Sequence, residues 1–143
     1  MTPLVRSWGF MVEARIRVIY GDTDQMGVVY HANYLRYFEF SRMEYFRSRG
    51  GSYRELERDG LMLPVVEVTA AYKSPARYED LLLVRARVSE LKRVSLTFSY
   101  EVVREESPNV LLCTGHTVHA CVSREGRPTR LPESLVRLLQ ETP

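Results

Sequence analysis

Cysteines, lysines and long apolar runs are all scarce in this 143-residue sequence. Its two cysteines, Cys113 and Cys121, lie eight residues apart in one strand-like run, too far for a disulfide within that strand. Free thiols are typical of a reducing compartment, so the sequence predicts a cytoplasmic protein. No run of about 18 apolar residues occurs, which excludes stable membrane insertion through a spanning helix. Residues 1–10 also lack the apolar core of a signal peptide.

A large excess of charge is absent too. The 20 basic and 18 acidic residues give a net charge of +2, which is too small to indicate nucleic-acid binding. The sequence shows no glycine-rich phosphate loop, internal repeat or interdomain linker, and its length suits one domain. Met11 stands directly before the first strand-like pattern. We therefore predict an N-terminal extension over residues 1–10 and a single domain over residues 11–143.

The first half of the chain predicts one strand and one long helix. Residues 12–20 alternate between apolar and charged, as a half-buried strand does, with Tyr20 last on the apolar face. Residues 32–49 repeat apolar side chains every three or four positions, and a pair of glycines ends the pattern. The aromatic residues of this helix are expected in the core, and Leu35 and Phe40 widen its apolar arc.

Strand patterns dominate the second half of the chain. Four runs alternate or are continuously apolar, and they span residues 61–73, 81–91, 94–104 and 110–123. Turn residues separate them at 74–75, 92–93 and 107–109, and a short helix is predicted over 131–140. Consecutive strands joined by short turns pair antiparallel. We therefore predict an α+β domain, in which the long helix packs on an antiparallel sheet and a sheet edge remains free for self-association.

The segment between the first strand and the long helix carries the candidate chemistry. Asp22 and Asp24 are two residues apart, so in an extended chain their carboxylates project to the same side. Gly27 permits a positive φ, and residues 28–33 are expected to enter the helix, whose first N–H groups lack partners. A desolvated carboxylate beside such groups suits acyl transfer, because the N–H groups can hold an oxyanion. The same residues also suit a plain turn or helix cap, and spacing alone leaves that alternative open.

The run YGDTDQMGVVYHANYLRYFEFSRMEYFR, residues 20–47, resembles the 4-hydroxybenzoyl-CoA thioesterase-like branch of the hot-dog-fold acyl-CoA thioesterases, including YbgC-type proteins. The matching features are Asp22, Asp24, Gly27, Val28, Val29, Tyr30-His31, Tyr34, Glu39, Arg42 and Glu44. The order of elements is similar over about residues 11–140. The resemblance implies a hot-dog fold, with an antiparallel sheet wrapped around the long central helix. It also implies hydrolysis of acyl-CoA to a free acid and CoA.

The resemblance further implies roles for individual residues. Asp24 would be the catalytic carboxylate, as nucleophile or as general base, and the backbone N–H of His31 would bind the thioester carbonyl. Further substrate-binding residues would come from the same loop and helix start, namely Asp22, Gly27, Val29, Tyr30 and Tyr34, with Asp22 supporting the loop. Lys92 and Arg93 align with a basic run that contacts the nucleotide phosphates in relatives, although Val94 replaces its third basic residue.

The resemblance implies no metal ion or redox cofactor, since CoA is part of the substrate. It implies active sites at a homodimer interface, with dimers pairing into homotetramers. An alternative is a non-catalytic oligomer of the same fold that binds acyl thioesters or acts as a scaffold. A metal-binding Asp-x-Asp site for a nucleotide sugar is disfavoured, because the chain has neither a second domain nor a phosphate loop.

The histidines allow other interpretations. The ring of His31 could act as a base, since imidazole titrates near neutrality, but it could equally face solvent. His116 and His119 lie three residues apart in a predicted strand, so they point to opposite faces and do not easily share a metal. We expect structural or surface roles for both, and we expect Cys113 and Cys121 to be small core residues.

Overall fold

The computed structural model describes residues 10–51 and 53–140. Within these ranges the elements follow the order β1 (Val12–Arg17), a 3₁₀ turn (Tyr20–Asp22), α1 (Asn33–Ser48), α2 (Tyr53–Arg58), β2 (Leu61–Met62), β3 (Val65–Tyr72), β4 (Leu81–Leu91), β5 (Ser95–Arg104), β6 (Ser107–Ala120), β7 (Val122–Ser123) and α3 (Glu133–Gln140). None of the helices in the described ranges is long and apolar enough to cross a membrane.

The main sheet has five strands in the order β1-β4-β5-β6-β3, and every neighbouring pair is antiparallel. The short strands β2 and β7 pair separately. Strands β1 and β3 are therefore the two edges of the main sheet. Helix α1 packs against one face of this sheet, which confirms the predicted α+β class and the sheet wrapped around a long central helix.

Aromatic side chains of α1 join the helix to the sheet. The ring of Phe38 stacks on Tyr100 of β5, with 4.3 Å between centroids and 5° between planes. Tyr45 and Phe46 meet Phe98 edge-on at 5.3 and 5.8 Å. These rings are almost fully buried, and burying large apolar side chains is the main source of folding stability. The prediction that the helix aromatics are mostly core is confirmed.

The apolar arc of α1 is narrower than its sequence indicates. Phe40 is 44 % exposed and Leu35 is 39 % exposed, so neither belongs to the core of the isolated chain. Tyr20 was also expected on an inward face, but it is 77 % exposed. The reason is that β1 ends at Arg17 and the backbone turns into the 3₁₀ segment, which breaks the alternation of faces.

Two predicted strand boundaries are wrong. The run 61–73 is divided into β2 and β3 at Leu63 and Pro64, where proline cannot donate a ladder hydrogen bond. The turn predicted at 107–109 lies instead at Glu105–Glu106, because Arg104 pairs with Ser107, and a shift in the β5–β6 register accommodates the proline that follows. Helix α2 was not predicted, since its six residues are too few for a clear period.

The predicted N-terminal extension lies outside the described residues, except for its last residue. The ring of Phe10 meets Tyr45 edge-on at 5.2 Å, and the guanidinium of Arg49 lies 4.0 Å from the centroid of that ring. The boundary between residues 10 and 11 stays a prediction. Cys113 and Cys121 are both buried free thiols, which confirms that they are small core residues.

Candidate active site

Asp22 ends the 3₁₀ turn and is almost fully buried, at 4 % exposure. Its carboxylate accepts a hydrogen bond from the hydroxyl of Tyr37 at 2.9 Å and lies 3.2 Å from the guanidinium of Arg36. Burial and the adjacent carboxylate raise the pKa of Tyr37, so this phenol stays protonated and donates. The carbonyl of Asp22 accepts from the Tyr30 N–H and the Asn33 amide, at 2.9 and 2.8 Å. Asp22 thus ties the loop to the start of α1.

Asp24 opens a tight turn of its own. Its N–H donates to the carbonyl of Val28, and its carbonyl accepts from the Gly27 N–H, both at 2.9 Å. One carboxylate oxygen accepts from the N–H of Met26 at 2.8 Å, which leaves the other oxygen available to a reacting group. The predicted positive φ of Gly27 is confirmed at +79°, a conformation that residues with a side chain rarely adopt. The turn therefore holds the Asp24 side chain half-buried in a defined orientation.

In an extended chain the carboxylates of Asp22 and Asp24 would lie on one surface, but in the structure they lie on different surfaces. Asp22 lies at the end of a 3₁₀ turn, and extended backbone returns only at Thr23. Asp22 consequently lines a groove between β1 and α1, whereas Asp24 lines a different cavity beside the start of α1. Because the structure places Asp22 away from the Asp24 cavity, its observed contacts suit support of the loop.

Helix α1 begins at Asn33, one residue after the predicted start, but residues 28–32, which were expected to lead into it, are not helical. Val29 instead bridges to Thr23, and residues 31–32 form a turn. The backbone N–H of His31 therefore stands just before the helix, and it donates to no acceptor within residues 10–51 and 53–140. The His31 ring is exposed and lies 4.4 Å from the ring of Tyr30, which is itself 46 % exposed.

The Asp24 cavity has a volume of about 290 Å³. Its lining consists of Asp24, Met26, Val28, Val29, His31, Tyr34, Tyr72, Lys73, Ser74 and Pro75. Of the residues predicted for the site, the structure brings together Asp24, Val29, His31 and Tyr34. Gly27 shapes the adjoining turn, and Tyr30 is not among the residues that line the cavity.

Tyr34 forms part of the aromatic wall of the cavity and is 3 % exposed. Burial raises the pKa of Tyr34 to about 12, so its hydroxyl remains neutral. That oxygen accepts a hydrogen bond from the N–H of Ala76 at 3.4 Å, and its own proton can be donated. The ring of Tyr72 meets Tyr34 edge-on at 5.3 Å. Tyr34 and Tyr72 together therefore give the cavity an aromatic surface.

Sequence analysis missed the segment 72–75, which comes from the end of β3. Its residues appeared only as the end of a strand and a turn. The N–H groups of Lys73 and Ser74 both donate to the carbonyl of Leu112, at 2.8 and 3.1 Å, which brings the segment across to the cavity. The hydroxyl of Tyr72 also donates to the carbonyl of His31 at 2.9 Å. No local pattern signals this approach, because it depends on the pairing of β3 with β6.

Lys92 and Arg93 lie at the opposite end of the sheet from Asp24. They follow β4, whose last residue Leu91 is in register with Leu96 of β5. Across β6, Leu96 of β5 is level with Val65 of β3, and Val102 of β5 is level with Tyr72 of β3. Leu96 and Val102 are six residues apart on the strand, which corresponds to about 20 Å between the two ends of the sheet. Within one chain, Lys92 and Arg93 are therefore not part of the Asp24 cavity.

The other two histidines, His119 and His116, fit the structural or surface roles expected for them. His119 is buried, and its ring nitrogens lie 3.0 Å from the carbonyl of Leu63 and 2.8 Å from the hydroxyl of Thr117. His116 is partly exposed. In residues 10–51 and 53–140, no group of three or more histidine, cysteine, aspartate or glutamate side chains could hold a metal ion.

Comparison with known proteins shows that the chain is similar to thioesterases. A family model described as the thioesterase-like superfamily matches residues 18–139. The acyl-CoA thioester hydrolase YbgC of Escherichia coli is 34 % identical over 122 residues, which cover 85 % of this chain and 90 % of that protein. A hypothetical protein of Thermus thermophilus is 40 % identical, with a TM-score of 0.83 over 89 % of this chain and 95 % of that structure. A DHNA-CoA thioesterase from Staphylococcus aureus is 32 % identical, with a TM-score of 0.80 over 85 % of this chain and 80 % of that structure.

Proposed function

The chain belongs to the thioesterase-like superfamily, and from that premise we propose that it hydrolyses acyl-CoA to a carboxylic acid and CoA. The observation that carries the proposal is that the Asp24 carboxylate and residue His31, whose backbone N–H donates to no described acceptor, line one cavity. A carboxylate and an N–H donor are the two groups that thioester hydrolysis needs, to attack or to activate water and to hold the oxyanion.

Two routes use these groups and give the same products. As a nucleophile, the Asp24 carboxylate attacks the thioester carbon, the C–S bond breaks, and water then hydrolyses the resulting mixed anhydride. As a general base, Asp24 takes a proton from water while that water attacks, and the proton is passed to the departing thiolate. In both routes the His31 N–H stabilises the oxyanion, a contribution of about 3 kcal/mol.

On this proposal, two chains pair along their β3 edges to form a homodimer, and this pairing completes the substrate site. β3 has a free side in the isolated chain, and Val66, Val68 and Tyr72 on it are 61 %, 43 % and 49 % exposed. An edge with such apolar side chains favours pairing with a second strand. Antiparallel pairing of two β3 strands would set the Tyr72 end of one beside the Val65 end of the other.

That arrangement gives Lys92 and Arg93 a role at the second subunit's site. They lie at the same end of the sheet as Val65, so two-fold pairing brings them toward the Asp24 cavity of the other subunit. There the two cations could contact the phosphates of CoA, while the thioester reaches Asp24. We further propose a homotetramer built from two such dimers and a cytoplasmic location, which the two free buried thiols support.

Hydrolysis of a panel of short, long and aromatic acyl-CoA esters, with release of free thiol as the readout, tests the activity. We expect Asp24→Asn to keep the fold and oligomer size of the wild type and to lower kcat at least about 100-fold. Thr23→Ala, at the neighbouring position, is the matched control and should keep most activity. Unchanged hydrolysis in Asp24→Asn would contradict the mechanism. A wild type that binds acyl-CoA without releasing thiol would support the scaffold alternative.

A further inference from the structure

Lys73 is a cation at the candidate active site, and it has no carboxylate partner among the described residues of the isolated chain. Its side chain is exposed and lines the Asp24 cavity. Among residues 10–51 and 53–140, no Asp or Glu oxygen lies within 4.0 Å of its ammonium group, whereas Lys92 lies 3.9 Å from Glu90. The Lys73 backbone is held by its hydrogen bond to Leu112 at 2.8 Å. The backbone of Lys73 is thus fixed beside the cavity, and its ammonium group has no carboxylate partner in the part of the chain that the structure describes.

The rest of the cavity lining contrasts with this cation. Lys73 and Asp24 are its charged residues, and they form no ion pair with each other. The remaining wall includes the rings of Tyr34 and Tyr72 and the aliphatic atoms of Val29. An acyl group that fills about 290 Å³ displaces water from this space. An alkyl end group would offer the Lys73 ammonium no hydrogen-bond acceptor.

Lys73 lines the same cavity as Asp24, a position from which its side chain can reach the acyl group. It shares a small cavity with Asp24, which must meet the thioester carbon. In the proposed dimer, Lys92 and Arg93 of the partner subunit meet the phosphates, which leaves the Lys73 ammonium available to the acyl group. Resting on the proposed thioesterase function, we propose that Lys73 makes the enzyme selective for short acyl groups that end in a carboxylate.

The chemistry of a dicarboxylic monothioester fits both charges of the cavity. Its free carboxylate can accept a charge-assisted hydrogen bond from the Lys73 ammonium, while its thioester carbon faces Asp24. Lys73 also offsets the repulsion between the substrate carboxylate and the Asp24 carboxylate, which are like charges in one small space. A neutral acyl group of the same length receives neither benefit.

The test is a matched pair of substrates, glutaryl-CoA and pentanoyl-CoA, which both have five-carbon acyl groups. We expect the wild type to prefer glutaryl-CoA in kcat/KM. Lys73→Met should lower that preference at least about tenfold, the effect of losing one charge-assisted hydrogen bond, through the glutaryl value alone. Lys73→Arg should restore most of the preference, and added salt should weaken it in the wild type.

Arg137→Met on α3 is the control for removing a surface cation, and it should leave the preference unchanged, because its side chain is 75 % exposed and pairs with Glu133. An unchanged substrate ratio in Lys73→Met overturns the role of Lys73 while leaving the thioesterase function intact. An equal loss on both substrates, or a change in oligomer size, also overturns it, since either indicates a structural role. A wild type that hydrolyses neither ester, nor any other acyl-CoA, overturns the proposed function itself.

Discussion

The hydroxyl of Tyr72 donates a hydrogen bond to the backbone carbonyl of His31 over 2.9 Å. This contact joins the end of the edge strand β3 to the segment that presents the proposed oxyanion donor. The two residues are 41 positions apart in the sequence, and both line the Asp24 cavity. The peptide unit that follows His31 is therefore held by a strand 41 positions later in the sequence, next to the N–H proposed as oxyanion donor.

Removing this hydroxyl should affect catalysis more than binding. We expect Tyr72→Phe to lower kcat by roughly fivefold or less, the effect of one neutral hydrogen bond, with KM nearly unchanged. The reason is that the His31 N–H would be oriented less well toward the transition state. Steady-state kinetics measure the split, and Tyr78→Phe is a matched control because Tyr78 is equally exposed and lies outside the cavity. A rise in KM alone would indicate that Tyr72 only contacts the substrate.

We expect Asp22 to have a structural role and Asp24 to have a catalytic role. Asp22→Ala leaves the buried hydroxyl of Tyr37 without its acceptor and Arg36 without its carboxylate, so we expect a loss of about 2 kcal/mol in the free energy of unfolding. Asp24→Ala, at a half-buried position, should change stability by less than about 0.5 kcal/mol but abolish most hydrolysis. Urea unfolding followed by circular dichroism measures both variants. Equal stability of the two variants would contradict the assignment of Asp22 to the loop.

The β3 edge should control assembly and activity together. A lysine at Val68, which is 43 % exposed on the free edge, places a charge where the second strand would pair. We expect Val68→Lys to raise the dimer dissociation constant at least about tenfold and to lower activity in parallel, because each site would lose the other subunit's Lys92 and Arg93. Light scattering after size-exclusion chromatography measures the mass. Val110→Lys, at a 47 % exposed position of β6, is the control, and an unchanged mass for Val68→Lys would refute dimerisation through β3.

Gly115 is required for the close approach of α1 to the sheet. A Cβ atom there would lie 2.5 Å from the carbonyl oxygen of Thr69 and 2.7 Å from the ring of Phe38. We expect Gly115→Ala to destabilise the protein by about 3 kcal/mol or more, because the ring and the strand backbone must both move. Gly21→Ala meets nothing within 4 Å and should change the midpoint of urea unfolding little. Similar midpoints for both variants would contradict this packing.

A chain of hydrogen bonds links Arg42 of α1 to His119 of β6. Arg42 can only donate, and it donates to the Tyr100 hydroxyl at 2.9 Å. The carbonyl of Leu63 can only accept, so His119 Nδ1 carries a proton, and in the neutral ring Nε2 then accepts from Thr117. Thr117 in turn accepts from Tyr100 at 2.6 Å.

Burial is the main reason that the pKa of His119 falls from 6.5 to about 4. As the pH falls, His119 is therefore protonated near pH 6.5 in the unfolded chain, whereas in the folded chain it stays neutral until about pH 4. The contribution of neutral His119 to the free energy of unfolding is present above pH 6.5. It is lost as the pH falls toward 4, and the loss reaches up to about 3 kcal/mol. Urea unfolding at several pH values should show this slope in the wild type and a shallower one in His119→Gln. Equal slopes would contradict a neutral buried His119.

The sequence by itself determined the helix and strands that have a clear hydrophobic period. It also determined which side chains are available for catalysis. Alternation predicted β4 to the residue, and three/four spacing predicted α1 to within one residue at each end. The Asp22–Gly27 motif was recognisable without a fold, since turn glycines and carboxylates act locally. Where the backbone departed from an ideal period, as at Tyr20 and Pro64, the prediction failed, because periodicity carries no information about a local turn or a missing N–H.

Tertiary structure decided which of these residues meet. Sequence spacing could not separate Asp22 from Asp24, because the 3₁₀ turn that parts them is held by contacts with Arg36 and Tyr37 from the next element. Lys73 entered the site only through the β3–β6 register and the backbone of Leu112, and the same sheet geometry moved Lys92 to the far end. Local patterns specify the face that a side chain takes on its own element. Which faces converge depends on strand order, register and packing across the whole chain.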